Sequence, residues 1–433
     1  MLLFYLSCGF PVSYLTMTSL LLALRADELG IDPARIGLLL GAGGVLGTIM
    51  AVPSGALADA IGARRAFTLG ALLNALAAFG LATTDNYAVM LGIQLLRGFP
   101  HSISWVASQT YATGIGTAAD RARITGRFSF SSNVSTMLAP FAIGAVAQVV
   151  GFQAGLAVVG GYAALHVVSG LLLPELRRRT SGPASGASGM GGFREARLQL
   201  REKPTQVALI LTFVRILVMN GWAAFFPVFL AQQGFAPVLI GTILSANGVV
   251  SAVTGLMAAW FARRSSNEVA TAVALALGGL GVALSPHILV VPFIYVPALL
   301  MGSGTGLSMP LVMAILGNAV PPERRGVAMG LRTTGNQLGT VVAPVLVGQL
   351  VSLGGVAVAF ALNAAIAWLM LAGAMALHFG GRRRRNEVTF AERPRPCCRA
   401  SSWATCSRSR RCSTWQSGAP PRSAGMWPTS RTC

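Results

Sequence analysis

The chain has 433 residues, of which 54% are hydrophobic and only 11% are charged, and its mean hydropathy is +0.64. Soluble domains average about 25% charged residues, so this composition excludes an ordinary water-soluble protein. The net charge of +20 lies mainly in arginines of alternate loops and of the C-terminal tail. This distribution indicates membrane topology rather than nucleic-acid binding.

Twelve apolar runs are each long enough to cross a bilayer core about 30 Å thick as an α-helix. These predicted spans 1 to 12 lie at residues 3–24, 34–57, 66–84, 87–111, 125–148, 153–174, 205–230, 237–261, 268–286, 289–316, 327–351 and 355–378. Six fall in each half of the chain. The sequence therefore predicts an all-α integral membrane protein with twelve transmembrane helices in two pseudo-symmetric six-helix bundles.

The loops divide the chain into regions and set its orientation. We expect an N-terminal bundle over 1–175, a cytoplasmic linker over 176–204, a C-terminal bundle over 205–380 and a disordered basic tail over 381–433. Because arginine-rich loops stay on the cytoplasmic side, both termini are expected to be cytoplasmic, in the cell inner (plasma) membrane. The tail carries five of the six cysteines without metal-site spacing, and is either native sequence or a shifted reading frame.

The loop after span 2 reads GALADAIGARR over residues 55–65. Its glycines permit close helix approach and a tight turn, and its acid lies where a buried carboxylate needs a cationic or helix-N-terminal partner. The predicted gating residues are Gly55, Asp59, Gly62, Arg64 and Arg65. This loop resembles the signature of the major facilitator superfamily, Gly-x-x-x-Asp-Arg-x-Gly-Arg-Arg, with Ala60 in place of the usual basic residue.

The resemblance covers residues 1–380 and implies two six-helix bundles that rock about a central site. In this family, spans 1, 4, 7 and 10 line the cavity. The predicted substrate-binding residues are Arg97, His101 and Ser104 in span 4, Arg215, Asn220 and Trp222 in span 7, and Ser308 in span 10. The family usually places the span-4 arginine four residues before Gly98; here Gln94 holds that position.

Arg97 and Arg215 each lie about ten residues inside their spans, and no Asp or Glu falls in the middle third of any span. An arginine at the bilayer centre costs roughly 2.5–3.5 kcal/mol, so a ligand or structural partner is expected. One interpretation is an anionic substrate held between the halves. The other is that the arginines tie helix ends together. Arg332 in span 11 lies nearer the cytoplasm, where a structural role is favoured.

A shift of 204 positions superposes small residues and prolines of spans 5 and 11, which indicates an internal repeat. The predicted helix-packing residues are Gly126, Pro140, Gly144, Gly330, Gly339, Pro344 and Gly348. The Gly126–Gly144 spacing is similar to the Gly-Pro pattern of the family's exporters, with Ser135, Ala139 and Ile143 replacing three glycines. This similarity implies an exporter, and together with the arginines of spans 4 and 7 it leads us to expect export of an anionic or drug-like compound.

The sequence holds no Gly-Lys-Ser/Thr phosphate loop and no cluster of His, Cys and carboxylate residues. We therefore predict no ATP-driven transport, no enzyme, no cofactor and no metal site. The expected partners are a small-molecule substrate, a proton as coupling ion at His101 and the lipid bilayer, with the protein a monomer. The alternative for His101 is a neutral, hydrogen-bonded side chain.

Two classes of function remain. One is a secondary active transporter that moves a small solute by alternating access, and the other is a non-transporting receptor or sensor on the same scaffold. The loop that contains Asp59 favours transport.

Overall fold

The computed structural model describes residues 2–114, 121–174, 197–319 and 325–391. Within these ranges the chain is helical and contains no strand. The described elements are α1 (Leu2–Cys8), α2 (Phe10–Glu28), α3 (Pro33–Ile49), α4 (Ala51–Ile61), α5 (Ala63–Ala82), α6 (Tyr87–Gly114), α7 (Arg121–Leu172), α8 (Lys203–Gln232), α9 (Pro237–Arg264), α10 (Asn267–Leu284), α11 (Tyr295–Ala319) and α12 (Arg325–Ala391).

These elements correspond to the twelve predicted spans. Spans 1 and 2 are each broken, into α1 with α2 and α3 with α4, whereas α7 holds spans 5 and 6 and α12 holds spans 11 and 12. The long helices turn at Gly151 (φ 80°) and Gly355 (φ 76°), a backbone conformation that glycine adopts without strain. The predicted fold, twelve spans in two six-helix bundles, is confirmed.

The 204-residue repeat also fixes the turns at one end of the bundles. Gly30 and Gly234 have positive φ angles of 68° and 79°, and they are separated by the same 204 positions as Gly151 and Gly355. All four glycines lie in arginine-poor connections or, for Gly30, in the mixed loop after span 1. We call this end of the molecule the outer end.

The surface of the helices is suited to lipid rather than to water. Seven helices in the described part of the chain are long and apolar enough to cross a bilayer, among them the double-length stretches Arg127–Leu172 and Leu331–Gly380. Large apolar side chains such as Val149, Leu256 and Leu353 are more than 80% exposed. In water such surfaces would aggregate, whereas acyl chains solvate them.

The chain divides into two compact units, Met1–Arg383 and Arg384–Cys433, and all contacts described below lie within the first. Helix α12 continues to Ala391, beyond the predicted start of the tail at residue 381. Most of the predicted linker, residues 176–196, and most of the predicted tail, residues 392–433, lie outside the described residues. The predicted domain boundaries therefore stay predictions.

Candidate substrate site and the interface between the halves

The two halves meet at the outer end through backbone packing without side chains between them. A Cβ on Gly37 of α3 would lie 2.3 Å from the carbonyl oxygen of Pro344 in α12 and 3.1 Å from Gly348 Cα. Conversely, a Cβ on Gly348 would lie 2.7 Å from the carbonyl oxygen of Pro33. No side chain fits at these distances, so glycine is required on both helices.

The same arrangement occurs a second time, between α9 and α7. A Cβ on Gly241 would lie 2.4 Å from the carbonyl oxygen of Pro140, and one on Gly144 would lie 2.5 Å from that of Pro237. Each of these residues is the image, 204 positions away, of a residue in the first contact. Two symmetry-related backbone contacts thus hold the outer end closed.

Hydrogen bonds also join the halves near these contacts. The backbone N–H of Phe141 donates to Ser245 Oγ at 3.1 Å, and Gln232 Nε2 donates to Asp27 Oδ1 at 2.7 Å. Burial raises the pKa of Asp27 above its usual value, and the hydrogen bond from Gln232 offsets part of this effect. Asp27 is therefore a titratable group in the closed outer interface.

Beside it, Arg25 ties together three loops of the N-terminal half. Its guanidinium is 2.7 Å from both Glu28 and Asp85, and it also bonds to Gln153 at 3.4 Å. The hydrogen bond to Glu28, ahead of the contribution of Asp85, raises the pKa of Arg25. These bonds fix the outer end of one half without involving the other.

Deeper in the N-terminal half, Arg97 of α6 is 2% exposed. Its Nε donates to Gln94 Oε1, and its Cζ lies 5.9 Å from the ring centroid of Tyr14 in α2. A Cβ on Gly43 would lie 3.0 Å from Arg97 Nη2, so the guanidinium packs directly against α3. Its buried Nη1 has no hydrogen-bond partner among the described residues.

His101 lies one helical turn after Arg97. The half-buried imidazole faces the backbone carbonyl of Pro11 in α2, and its buried Nδ1 has no partner among the described residues. Ser104 is fully buried and takes a weak hydrogen bond of 3.4 Å from Asn74 Nδ2. Arg97 and His101 thus form a polar face in which each side chain has a buried nitrogen without a partner among the described residues, whereas Ser104 packs against α5.

The C-terminal half presents a second cationic group. Arg215 of α8 and Arg332 of α12 are partly buried and close enough for the charge of Arg332 to act on Arg215. In both side chains the buried Nε has no partner among the described residues, and Arg332 Nη1 lies 3.8 Å from Met309 Sδ. Arg332, expected to be structural, therefore adds to the charge that Arg215 was predicted to supply.

Other predicted substrate residues of this half are engaged in packing. Trp222 is 2% exposed, its Nε1 donates to Ser285 Oγ at 2.9 Å, and its ring stacks on Phe226. Ser308 is buried and donates to the carbonyl of Thr305 in its own helix. Asn220 is partly exposed, two residues before Trp222. The Trp222 N–H and the Ser308 O–H thus already have acceptors within the protein, and their assignment to the substrate stays a prediction.

The predicted gating residues lie around the break between α4 and α5. Gly62 has φ 92° and forms the tight turn, whereas no described atom lies within 4 Å of the position of a Cβ on Gly55, so close helix approach there is not seen. Arg64 Nη2 donates to the carbonyl oxygen of Leu171 at the end of α7. Arg65 is exposed, and the side chain of Asp59 lies outside what the structure describes.

The predicted packing residues divide into two groups. Pro140, Gly144, Pro344 and Gly348 lie at the interface between the halves, and a Cβ on Gly339 would lie 2.7 Å from Ile216 of α8, within one half. The surroundings of Gly126 and Gly330 lie outside the described residues.

Sequence reasoning missed the partners at both sites. Gly37 and Gly241 are separated by the same 204 positions as the repeat in spans 5 and 11. Applying that shift to spans 2 and 8 therefore identifies both glycines from the sequence. No sequence signal joins Tyr14 to Arg97 or Asp27 to Gln232, since those contacts depend on the packing of distant helices. The described residues contain no group of three or more potential metal ligands.

Comparisons with known proteins agree with this architecture. A sequence model described as the Major Facilitator Superfamily matches residues 2–296 and 288–423. A search of curated proteins found no match. Among solved structures, a mutant form of the nucleoside transporter NupG is similar with a TM-score of 0.75 and 15% identity, covering 87% of this chain and 99% of that chain.

A bacterial homologue of the human lysosomal transporter Spinster, in an inward-facing and unoccupied conformation, is similar with a TM-score of 0.68 and 15% identity. That likeness covers 91% of this chain and 98% of the other. At these identities the structural likeness concerns the fold, whereas the match to the family model extends over most of the sequence. The chain belongs to the major facilitator superfamily and is a multi-pass membrane transporter rather than an enzyme.

Proposed function

We propose that the protein is a secondary active transporter that moves a small organic anion by alternating access. The observation that carries this proposal is the pair of cationic groups in opposite halves: Arg97 in one, and Arg215 with Arg332 in the other. Each has a buried guanidinium nitrogen without a hydrogen-bond partner among the described residues. Guanidinium groups bind carboxylate and phosphate oxygens through several donors at once.

The energetics favour a ligand rather than an empty site. An unpaired arginine deep in the membrane costs several kcal/mol, and the sequence offers no carboxylate in the middle of any span to offset it. Arg215 and Arg332 also repel each other. An anion between the halves would relieve both unfavourable terms, and it would bind most tightly when both halves contact it.

Alternating access is supported by the construction of the outer interface. Its contacts are glycine to backbone, and two side-chain hydrogen bonds are seen across it among the described residues, so the halves can separate without unfolding a helix. We propose that the outer end opens by separation of both glycine contacts, while Asp59 gates the other end. The central site would then face one side at a time.

The finer points of the proposal rest on sequence patterns. Export is proposed from the likeness of Gly126–Gly144 to the pattern of the family's exporters, and location in the inner membrane with cytoplasmic termini from the basic loops. A proton is the proposed coupling ion, taken up at His101, and the protein is proposed to act as a monomer. If a His101→Gln protein still concentrates substrate under a pH difference, His101 takes no part in coupling.

The anion site can be tested by thermal shift of the purified protein, because a bound ligand stabilises the folded state. The probes are inorganic phosphate, succinate, uridine monophosphate and neutral uridine, the last because NupG is described as a nucleoside transporter. At 100 times its dissociation constant, a ligand adds about 2.7 kcal/mol to the free energy of unfolding. We expect at least one anion to stabilise the protein and uridine to have no effect.

Variants connect the shift to the site. At the same anion concentration, Arg97→Gln and Arg215→Gln should each lose about half or more of this stabilisation, whereas Arg263→Gln, at the end of α9, should keep it. Stabilisation by uridine alone, unchanged in the arginine variants, would refute the anion site. Binding without saturable flux in proteoliposomes would instead favour a receptor on the same scaffold.

A further inference from the structure

We propose that Gln94 is a positioning residue of the anion site: it holds the guanidinium of Arg97 in place without neutralising its charge. This inference rests on the proposed function, because it concerns how the anion proposed as substrate is bound. Gln94 and Arg97 lie three residues apart in α6, so they share one face of the helix. Both are buried, at 0% and 2% exposure, and Arg97 Nε donates a hydrogen bond to Gln94 Oε1.

Three surfaces fix the guanidinium of Arg97. Gln94 contacts it along α6, and α3 contacts it at Gly43, where a Cβ would lie 3.0 Å from Arg97 Nη2. The ring of Tyr14 in α2 is the third, with its centroid 5.9 Å from Arg97 Cζ. Tyr14 is itself held, because its hydroxyl donates to the backbone carbonyl of Asn74 at 2.7 Å. Among these neighbours, Gln94 supplies the hydrogen-bond acceptor.

The amide of Gln94 is oriented by a second helix. Its Nε2 donates to the backbone carbonyl of Leu39 in α3 at 3.4 Å, which turns its oxygen towards Arg97. Because Gln94 occupies Arg97 Nε, an anion is left to bind at the far end of the guanidinium. There the buried Nη1 has no partner among the described residues. Gln94 thus determines which edge of Arg97 meets the anion.

The neutrality of residue 94 is the second part of its role. Spans 1, 2 and 4, which supply the three surfaces around Arg97, contain no Asp or Glu. A carboxylate at position 94 would pair with the buried arginine and stabilise it more strongly than an amide does. It would also cancel the charge that attracts an anion. Glutamine keeps the acceptor oxygen and the positive charge together.

The proposal is tested by isothermal titration of the purified full chain with inorganic phosphate, succinate and uridine monophosphate. Gln94→Glu keeps the length of the side chain and its acceptor oxygen but adds a negative charge. We expect the affinity for the anion that binds the wild type to fall at least about tenfold. The melting temperature should not fall, because the buried arginine gains a partner.

That combination separates positioning from a merely structural role, for which a variant that keeps the fold and the contact would keep the affinity. The matched control is Gln148→Glu, which adds the same charge at an exposed position of α7. It should bind the anion as the wild type does.

A neutral variant tests the orientation of Arg97 without adding charge. Gln94→Met keeps about the same length but removes the acceptor, so Arg97 Nε loses its partner and the affinity should fall about fivefold. In an Arg97→Gln background the same substitution should cause no further loss, because Gln94 acts through Arg97.

Unchanged affinity in Gln94→Glu, or in Gln94→Met if the acidic variant does not fold, would overturn the role of Gln94 and leave the anion site intact. An equal loss in Gln148→Glu, or equal losses from Gln94→Met with and without Arg97, would overturn it as well. If none of the three anions binds the wild type, the anion site itself is wrong and this inference is wrong with it.

Discussion

The glycine contacts between the halves follow the internal repeat, whereas the buried arginines in the interior do not. At the outer end, Gly37 against Pro344 is matched by Gly241 against Pro140, with oxygen-to-Cβ distances of 2.3 and 2.4 Å. In the interior, the position 204 residues after Arg97 is Met301, and the position 204 before Arg215 is Pro11. The packing between the halves is symmetric, whereas the charged groups are not.

This difference separates two requirements. The outer end is closed by two copies of one contact, so residues of the same type, a glycine and a proline, occupy equivalent positions in both halves. Binding an asymmetric solute needs different groups on its two sides, and the halves have diverged there: Arg97 has a glutamine and a tyrosine beside it, whereas Arg215 has a second arginine.

The largest effect is expected from substitutions that prevent outer closure. Gly37→Val and Gly241→Val would each place side-chain atoms on a backbone oxygen, and overpacking of this kind costs roughly 1–3 kcal/mol. We expect either variant to lower flux at least tenfold and to open the outer end. With the native cysteines replaced, the distance between spin labels at positions 149 and 353 should lengthen.

Because the two glycine contacts are related by the internal repeat, Gly37→Val and Gly241→Val should lengthen the label distance by the same amount. Gly161→Val is the control, since no described atom lies within 4 Å of a Cβ there. A normal label distance in Gly37→Val, or an effect of Gly241→Val alone, would contradict the equivalence of the two contacts.

The next effect concerns the asymmetry of the interior. Arg332→Gln should weaken binding of the anion that stabilises the wild type by about tenfold, and Arg332→Lys should restore part of the affinity, because the charge returns without the planar fork. Isothermal titration would measure both. If Arg332→Gln leaves the affinity unchanged, the arginine is structural, as its position in the sequence first suggested.

The features that could be predicted from the sequence are the symmetric ones, and the asymmetric contacts of the interior could not be predicted. The repeat and the hydrophobic runs determine the fold, and the spacing of Pro140 and Gly144 indicated packing, because these features are local and periodic. The partners of Arg97 and the neighbourhood of Arg332 depend on contacts among distant helices, for which a single sequence carries no pattern. The position of Trp222 on span 7 predicts a substrate contact, whereas its hydrogen bond to Ser285 in span 9 has no sequence signal.

A smaller effect is expected from pH at the outer end. Because burial raises the pKa of Asp27 in the closed form, this form binds a proton more tightly than an open form with a hydrated carboxyl. Closure is therefore favoured as the pH falls through that pKa and weakens as the pH rises. The label distance between positions 149 and 353 should shorten on acidification, by less in Asp27→Asn than in the parent protein.

The smallest effect is expected from Trp222→Phe. It removes one hydrogen bond to Ser285, and such bonds within membranes average about 0.6 kcal/mol. We expect a melting temperature lower by a few degrees at most and an unchanged anion affinity. A large loss of affinity with normal stability would return Trp222 to the substrate site.

The most direct test of the anion site is flux into proteoliposomes of the anion that most stabilises the purified protein. The comparison is between the wild type, Arg97→Gln and Arg215→Gln, each reconstituted at the same density. We predict saturable flux in the wild type and an apparent affinity at least tenfold weaker in each variant. Unchanged flux and affinity in both variants would show that the arginines are scaffold and that the site between the halves does not bind an anion.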